Sequence, residues 1–370
     1  MPTLKRLLPW SLPLLSALVV VGTLAVAISE LRPENILWID WYAYAFGTDR
    51  VLSGESLYIA EQLAGPYSLP AVTPQGYIYP PPSALLFLPF SIGSDIGLTA
   101  WIVANLALLV LGLAAVLRRE LGAVPPVGLA LVLLGLCLPV PIPGGLLRPL
   151  INGVLASNVN VGLAGLLALG WATGSYRGWI PYAAAFGAAF KIFPGALVLW
   201  AVRRDGPRPL IIAIALTAAI CLLTLPLVGI EEWQRFLRAL SNAEPTCTEG
   251  RSSIACLAQP FMGISLAKAA GVLVGSLFLV AAMLVRADFP AFVLLTLGML
   301  APLADGHQHY LLFIYVLVVI GLAVLFRRYR SRSALQDAGD EAGRRRGAAT
   351  AGTPLLSAQV AGPDAPAREP

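Results

Sequence analysis

The chain has 370 residues, of which 58% are hydrophobic and only 12% are charged. Soluble domains carry roughly 25% charged residues, so this composition excludes a soluble enzyme, a disordered chain and a disulfide-rich secreted scaffold. The net charge of +5 reads as the cytoplasmic-loop Lys and Arg of a polytopic helical membrane protein, not as a nucleic-acid footprint.

Lys5 and Arg6 precede an apolar run from about 7 to 28. The run is too long for a signal peptide and ends in no small-residue cleavage site, so it predicts a first membrane helix with its basic end inside. An aromatic and polar stretch follows, and the outer loop it belongs to covers 30–97. Within it, Pro80–Ile92 is apolar but only half a span long and opens on three prolines, which predicts an interfacial or re-entrant helix. Further spans are expected at about 98–117, 127–140, 159–174, 210–229, 263–285, 289–304 and 310–326.

The stretch 178–202 is apolar except for Lys191, next to Pro194, and is flanked by Arg177 and by Arg203 and Arg204. One straight helix would place one basic cluster outside. Two short helices, 178–190 and 192–202, keep both clusters inside and put Lys191 at the outer tip, where its charge is tolerated. The expected fold is therefore all-α, with about ten transmembrane helices and both termini cytoplasmic. Most of the 25 basic residues then lie inside and most of the 20 acids outside. The membrane domain is expected over 1–329. Residues 330–370 lack apolar periodicity and read as a disordered cytoplasmic tail.

Cys137 and Cys221 sit in apolar runs as small buried hydrophobes. Cys247 and Cys256 sit in a polar loop. Facing the cytosol they would be free thiols; the topology places them outside, which predicts a disulfide.

The polar residues converge on the outer face. The loop after the first helix carries Asp40, Trp41, Tyr44 and Tyr79; the loop 141–160 carries Arg148, Asn158 and Asn160; His307 and His309 lie before the last helix. A carboxylate among aromatics suits a sugar site, because ring faces stack on side chains and partial desolvation favours a general base. The plain alternative is an interfacial aromatic belt with an incidental acid. Lys191 is a candidate phosphate-binding cation, or a snorkelling lysine. Two histidines two residues apart diverge on a helix, so a hydrogen-bonding role is favoured over a metal site, and neither metal nor cofactor is expected.

Four stretches carry a resemblance to a known family. They are Asp40-Trp41-Tyr42-Ala43-Tyr44-Ala45 with Leu52 to Tyr58; Tyr77-Ile78-Tyr79-Pro80-Pro81-Pro82; Asn158-Val159-Asn160 leading through Arg177-Gly178-Trp179 to Phe190-Lys191-Ile192-Phe193-Pro194 and Arg203-Arg204; and Ala301-Pro302 with His307 and His309. Together they resemble the GT-C membrane glycosyltransferases, and more closely glycosyltransferase family 87. Ser157-Asn158 stands where that family usually has Gly-Gln, and Ala301-Pro302 replaces Ser-Pro.

The resemblance implies a GT-C-like fold with interfacial helices in the first outer loop. It implies inverting transfer of mannose, another hexose or arabinofuranose from a polyprenyl phosphate to a glycolipid, lipoglycan or other cell-envelope acceptor. The expected setting is a bacterial plasma membrane with the site facing outside. Asp40 would be the general base, with Asp49 as a more distant rival. Lys191 would bind the donor phosphate, with His309 and Arg148 in support. Trp41, Tyr44, Tyr79, Asn158, Asn160 and His307 would contact sugar or acceptor. A lipid-linked sugar flippase or transporter is the rival function. It would call for mid-membrane charges and often an internal repeat, neither of which is evident.

Overall fold

The structure is a computed structural model. It describes residues 38–68, 72, 76–91, 94–138, 140–142, 145–173, 178–244, 253–303 and 308–351. The first helix expected at 7–28 lies outside the described residues. Two compact units divide the chain, Met1–Ala323 and Val324–Pro370.

In the first unit, α1 (Ile39–Ser53) and the short helices α2 (Ala60–Ala64), α3 (Pro82–Leu86) and α4 (Leu88–Ser91) form the first loop. The half-span expected at Pro80–Ile92 is thus two short helices. Next come α5 (Ser94–Leu121) and α6 (Pro126–Cys137). A β-hairpin follows, Val140–Ile142 paired antiparallel with Gly145–Leu147. Helices α7 (Pro149–Leu155), α8 (Asn160–Thr173), α9 (Ile180–Lys191), α10 (Val198–Asp205), α11 (Arg208–Val228), α12 (Ile230–Asn242), α13 (Ile254–Leu284) and α14 (Asp288–Leu300) complete the series before α15 (Leu311–Ala351).

The chain is membrane-embedded. Among the described residues, four helices are long and apolar enough to cross a membrane: Asp95–Leu121, Arg208–Val228, Ile254–Leu284 and Leu311–Ser333. The sequence reading expected ten crossings. Helices α6, α8 and α14 are apolar but have only 12, 14 and 13 residues. That is about 18–21 Å of helix, short of a hydrocarbon core roughly 30 Å thick.

The break after Lys191 is present. Ile192 takes φ 46°, and a 3-10 turn, Phe193–Leu197, leads into α10. Pro194 has no N–H to continue a helix, and its ring restricts the residue before it. The second arm folds back on the first: a Cβ at Gly187 would lie 2.8 Å from Pro194 Cβ, and one at Gly195 would lie 2.9 Å from Ala188 Cβ.

Helices α5 and α8 form the scaffold beside this hairpin. A Cβ on Gly165 would stand 2.3 Å from the Leu108 carbonyl oxygen. Only glycine lets the two backbones approach so closely, as is common between membrane helices. The Gly162 N–H donates to Asn105 Oδ1 at 3.1 Å across the same contact.

Helix α12 secures the first loop. Its buried Glu232 accepts the Leu57 N–H at 2.9 Å through Oε2 and pairs with Arg235. The Asn242 carboxamide donates to the Gln62 carbonyl at 3.0 Å. Tyr67 bridges Ala243 in parallel. Helix α13 is kinked at Gly263, φ 75°, with Pro260 one turn before.

The second unit begins at Val324 within α15, and Arg327–Arg332 are exposed. A disordered chain was expected from residue 330, but helix continues to Ala351. Residues 334–351 contain no proline and are rich in Ala, with a run of Arg and three Gly. The Ala and Arg there favour helix without a packed face, while the three Gly weaken it. Residues 352–370 lie outside the described residues.

Candidate active site

The site is assembled where α1 meets the end of α7. Helix α7 ends in a Schellman motif. Ser157 takes φ 55°, its N–H bonds the Val154 carbonyl at 3.0 Å, and the Asn158 N–H bonds the Gly153 carbonyl at 2.8 Å. The left-handed position favours glycine. Ser157 occupies it here, and its carbonyl accepts the Trp101 indole N–H at 2.7 Å.

The same turn receives the start of α1. Trp38, φ 63°, donates its N–H to the Leu155 carbonyl at 2.9 Å, and the Asp40 N–H reaches Ala156 at 3.0 Å. Orphan carbonyls at one helix end thus satisfy orphan amides at the start of another. This places Asp40 against Asn158.

Three hydrogen bonds then run in series. Asn158 Nδ2 donates to Asp40 Oδ2 at 2.8 Å. The Asn160 N–H donates to Asn158 Oδ1 at 2.8 Å. Lys191 Nζ donates to Asn160 Oδ1 at 3.2 Å. Asn158 is 2% exposed and Asn160 is fully buried. Asn160 Nδ2 has no partner among the described residues, and neither does the buried indole N–H of Trp41. Buried donors normally find a partner, so these two have capacity for acceptors from a ligand.

Aromatic rings enclose the series. Lys191 Nζ lies 5.4 Å from the centre of the Tyr79 ring and 4.9 Å from that of Tyr310. Both are within cation–π range. The Tyr44 and Tyr79 rings are 4.6 Å apart. Beneath them, Phe190 stacks on Trp101 at 5.7 Å, and Phe87 packs edge-on to Trp101 at 5.1 Å. Burial first, and then the Asp40 charge, push the Tyr44 phenol well above its ordinary range. Burial also leads for Tyr79, followed by the neighbouring Tyr44 and Asp40 charges. Both therefore stay protonated and act as hydrogen-bonding walls, not as bases. Tyr79 is held in turn, since its carbonyl accepts the Tyr58 hydroxyl at 2.7 Å.

The remaining residues named from sequence are placed as follows. Trp41 is buried with its ring edge-on to Tyr42 and Phe87. His309 is buried beside Tyr310, ring centres 4.9 Å apart, and a Cβ on Gly153 would meet its Cβ at 3.5 Å. It thus borders the Lys191 end of the series through Tyr310. Arg148 caps the start of α7, at the opposite end from the Ser157 turn. Asp49 is exposed; nine residues along α1 from Asp40, it faces about 180° away. His307 lies outside the described residues. Cys256 is disulfide-bonded; its expected partner, Cys247, also lies outside them.

Sequence reasoning missed Tyr310 and Trp101 as parts of this site and gave Phe190, which opens the motif around Lys191, no role in it. Tyr310 had one signal, its position beside His309. Trp101 had none, because it lies in the first turns of a membrane helix.

The family-wide sequence model described as Glycosyltransferase family 87 matches residues 77–341. That segment includes Tyr79, Asn158, Asn160, Lys191 and His309 and begins after Asp40. No curated protein and no solved structure matches the chain.

Proposed function

The chain belongs to glycosyltransferase family 87, and from that membership we propose that it transfers a sugar from a polyprenyl phosphate to a cell-envelope acceptor, with inversion at the anomeric carbon. One observation carries the reading: a carboxylate and an ammonium from distant segments meet in one aromatic-walled site, joined through Asn158 and Asn160.

Asp40 takes the proton from the acceptor hydroxyl as its oxygen attacks the anomeric carbon. The bond from that carbon to the phosphate oxygen breaks, and the polyprenyl phosphate leaves as an anion. It needs no general acid. It does need a cation where charge develops, and Lys191 supplies it. His309 supports the phosphate by hydrogen bonding, with Arg148 a more distant cation. Tyr44, Tyr79 and Trp41 line the sugar and acceptor side. The sugar is mannose, another hexose or arabinofuranose, and the acceptor is a glycolipid or lipoglycan. In this reading the site faces the outside of a bacterial plasma membrane.

The test is a product assay in proteoliposomes carrying a synthetic polyprenyl-phosphate sugar and membrane lipoglycan. The expected result is free polyprenyl phosphate matched by sugar on the acceptor. Redistribution of intact donor between leaflets, without consumption, would replace the reading with a flippase.

A further inference from the structure

We propose that Asn158 is the positioning residue of Asp40, and that Asn160 links this pair to Lys191 so that base and cation are set as one unit. The inference rests on the catalytic reading above and adds to it a pair of residues that do not themselves perform the chemistry.

Hydrogen-bond chemistry forces the direction of both carboxamides. A backbone N–H can only donate, so the atom of Asn158 that faces the Asn160 N–H at 2.8 Å is its oxygen. The Asn158 amide nitrogen must then face Asp40, where it donates to Oδ2 at 2.8 Å. An ammonium also only donates, so Asn160 turns its oxygen to Lys191 at 3.2 Å. Neither side chain can flip without setting two donors or two acceptors against each other. At 2% and 0% exposure, water is not there to repair such a mismatch. The arrangement therefore has one orientation, and that orientation aims a donor at the carboxylate.

A competing role for Asn158 is purely structural. Its Oδ1 accepts an N–H from the first turn of α8, which is what an N-cap does. Asp caps helices about as well as Asn does. Unlike an ionised Asp, the carboxamide both caps the helix and donates to a carboxylate. Asn158→Asp thus keeps the cap, removes the donor and adds a like charge beside Asp40. The other groups around Asp40 that bear on its titration are Tyr44 from its own helix, Tyr79 from the first loop and Lys191 from the tip of α9. Tyr310, beyond them, acts on Tyr44 and Tyr79. None of these changes in the variant.

The experiment compares wild type, Asn158→Asp and Asn158→Gln in detergent. It reads melting temperature, donor turnover against pH, and the carboxyl infrared band that is lost in Asp40→Asn. For Asn158→Asp we expect a near-native melting temperature at a pH where Asp40 is protonated. We also expect kcat about 100-fold lower, the scale of a misplaced catalytic group. The Asp40 band should titrate at least about one pH unit higher, as for paired carboxylates. Asn158→Gln keeps both hydrogen-bonding functions and should recover the Asp40 titration and much of the rate.

Equal behaviour of the Asp and Gln variants overturns the inference. So does an unshifted Asp40 titration in the Asp variant, or its unfolding at low pH, where charge repulsion is absent. If wild type consumes no donor, the catalytic reading has failed, while the infrared titration still decides whether Asn158 acts on Asp40.

Discussion

The Lys191 ammonium is bonded to Asn160 Oδ1 at 3.2 Å and lies 4.9 Å from the centre of the Tyr310 ring. The carboxamide and the ring faces compensate for water lost at the hairpin tip, which lets a cation persist in an apolar setting. In the proposed reading, the donor phosphate exchanges for these partners.

Lys191→Ala should therefore weaken donor binding as well as slow transfer. We expect a fall of 100-fold or more in kcat/KM for donor, in line with the roughly 10²–10³-fold effects of removing a transition-state donor. Donor titration by thermal shift separates binding from rate. Loss of folding alone, with donor affinity intact in the surviving protein, would make Lys191 structural.

Asp40→Asn should remove transfer while expression and donor binding stay close to wild type. Asn is nearly isosteric but cannot take a proton from the acceptor. General bases typically contribute about 10²–10⁴-fold, so residual transfer should fall at or below one per cent. Normal turnover by this variant would sink the assignment. Asp49→Asn, on the opposite, exposed face of α1, is predicted to transfer sugar normally.

Ser157→Gly should stabilise the protein slightly. Serine at φ 55° carries a left-handed penalty of about 1–2 kcal/mol. Glycine removes it but adds about 0.5–1 kcal/mol of unfolded-state entropy. The relief wins by about 0.5 kcal/mol. Ser157→Val, with a β-branched side chain at the same φ, should destabilise. Thermal unfolding of the pair, run side by side in one detergent, reads the opposite signs.

Non-reducing proteolysis with mass spectrometry should recover a peptide linking Cys247 to Cys256. Closing a loop of this size is worth about 2–3 kcal/mol, so reductant or Cys256→Ser should lower the unfolding temperature. A free Cys247 thiol in unreduced protein would refute the pairing.

The hairpin at Lys191 illustrates what was legible beforehand. The expectation that Arg177, Arg203 and Arg204 share one side of the membrane called for a hairpin, and Pro194 marks where the helix breaks. Both are local or near-local constraints, and the break at Ile192 follows them. The tail shows the opposite case. Its polarity hid a helix that runs to Ala351, because polarity reports the lack of a core and not the backbone propensity of Ala and Arg.

The sequence by itself determined that this is a helical membrane protein, and it singled out Asp40 and Lys191 because charge is scarce in such a chain and each charge needs a reason. Only the tertiary structure decided what joins them. Asn158 and Asn160 were marked by the family resemblance as sugar or acceptor contacts, but they carry no charge and break no periodicity, so nothing along the chain shows that they link Asp40 to Lys191. Their roles come from contacts across 118 and 31 residues. Such contacts exist only once the left-handed turn at Ser157 has brought the end of α7 against the start of α1, and hydrogen-bond direction is a property of that packed geometry.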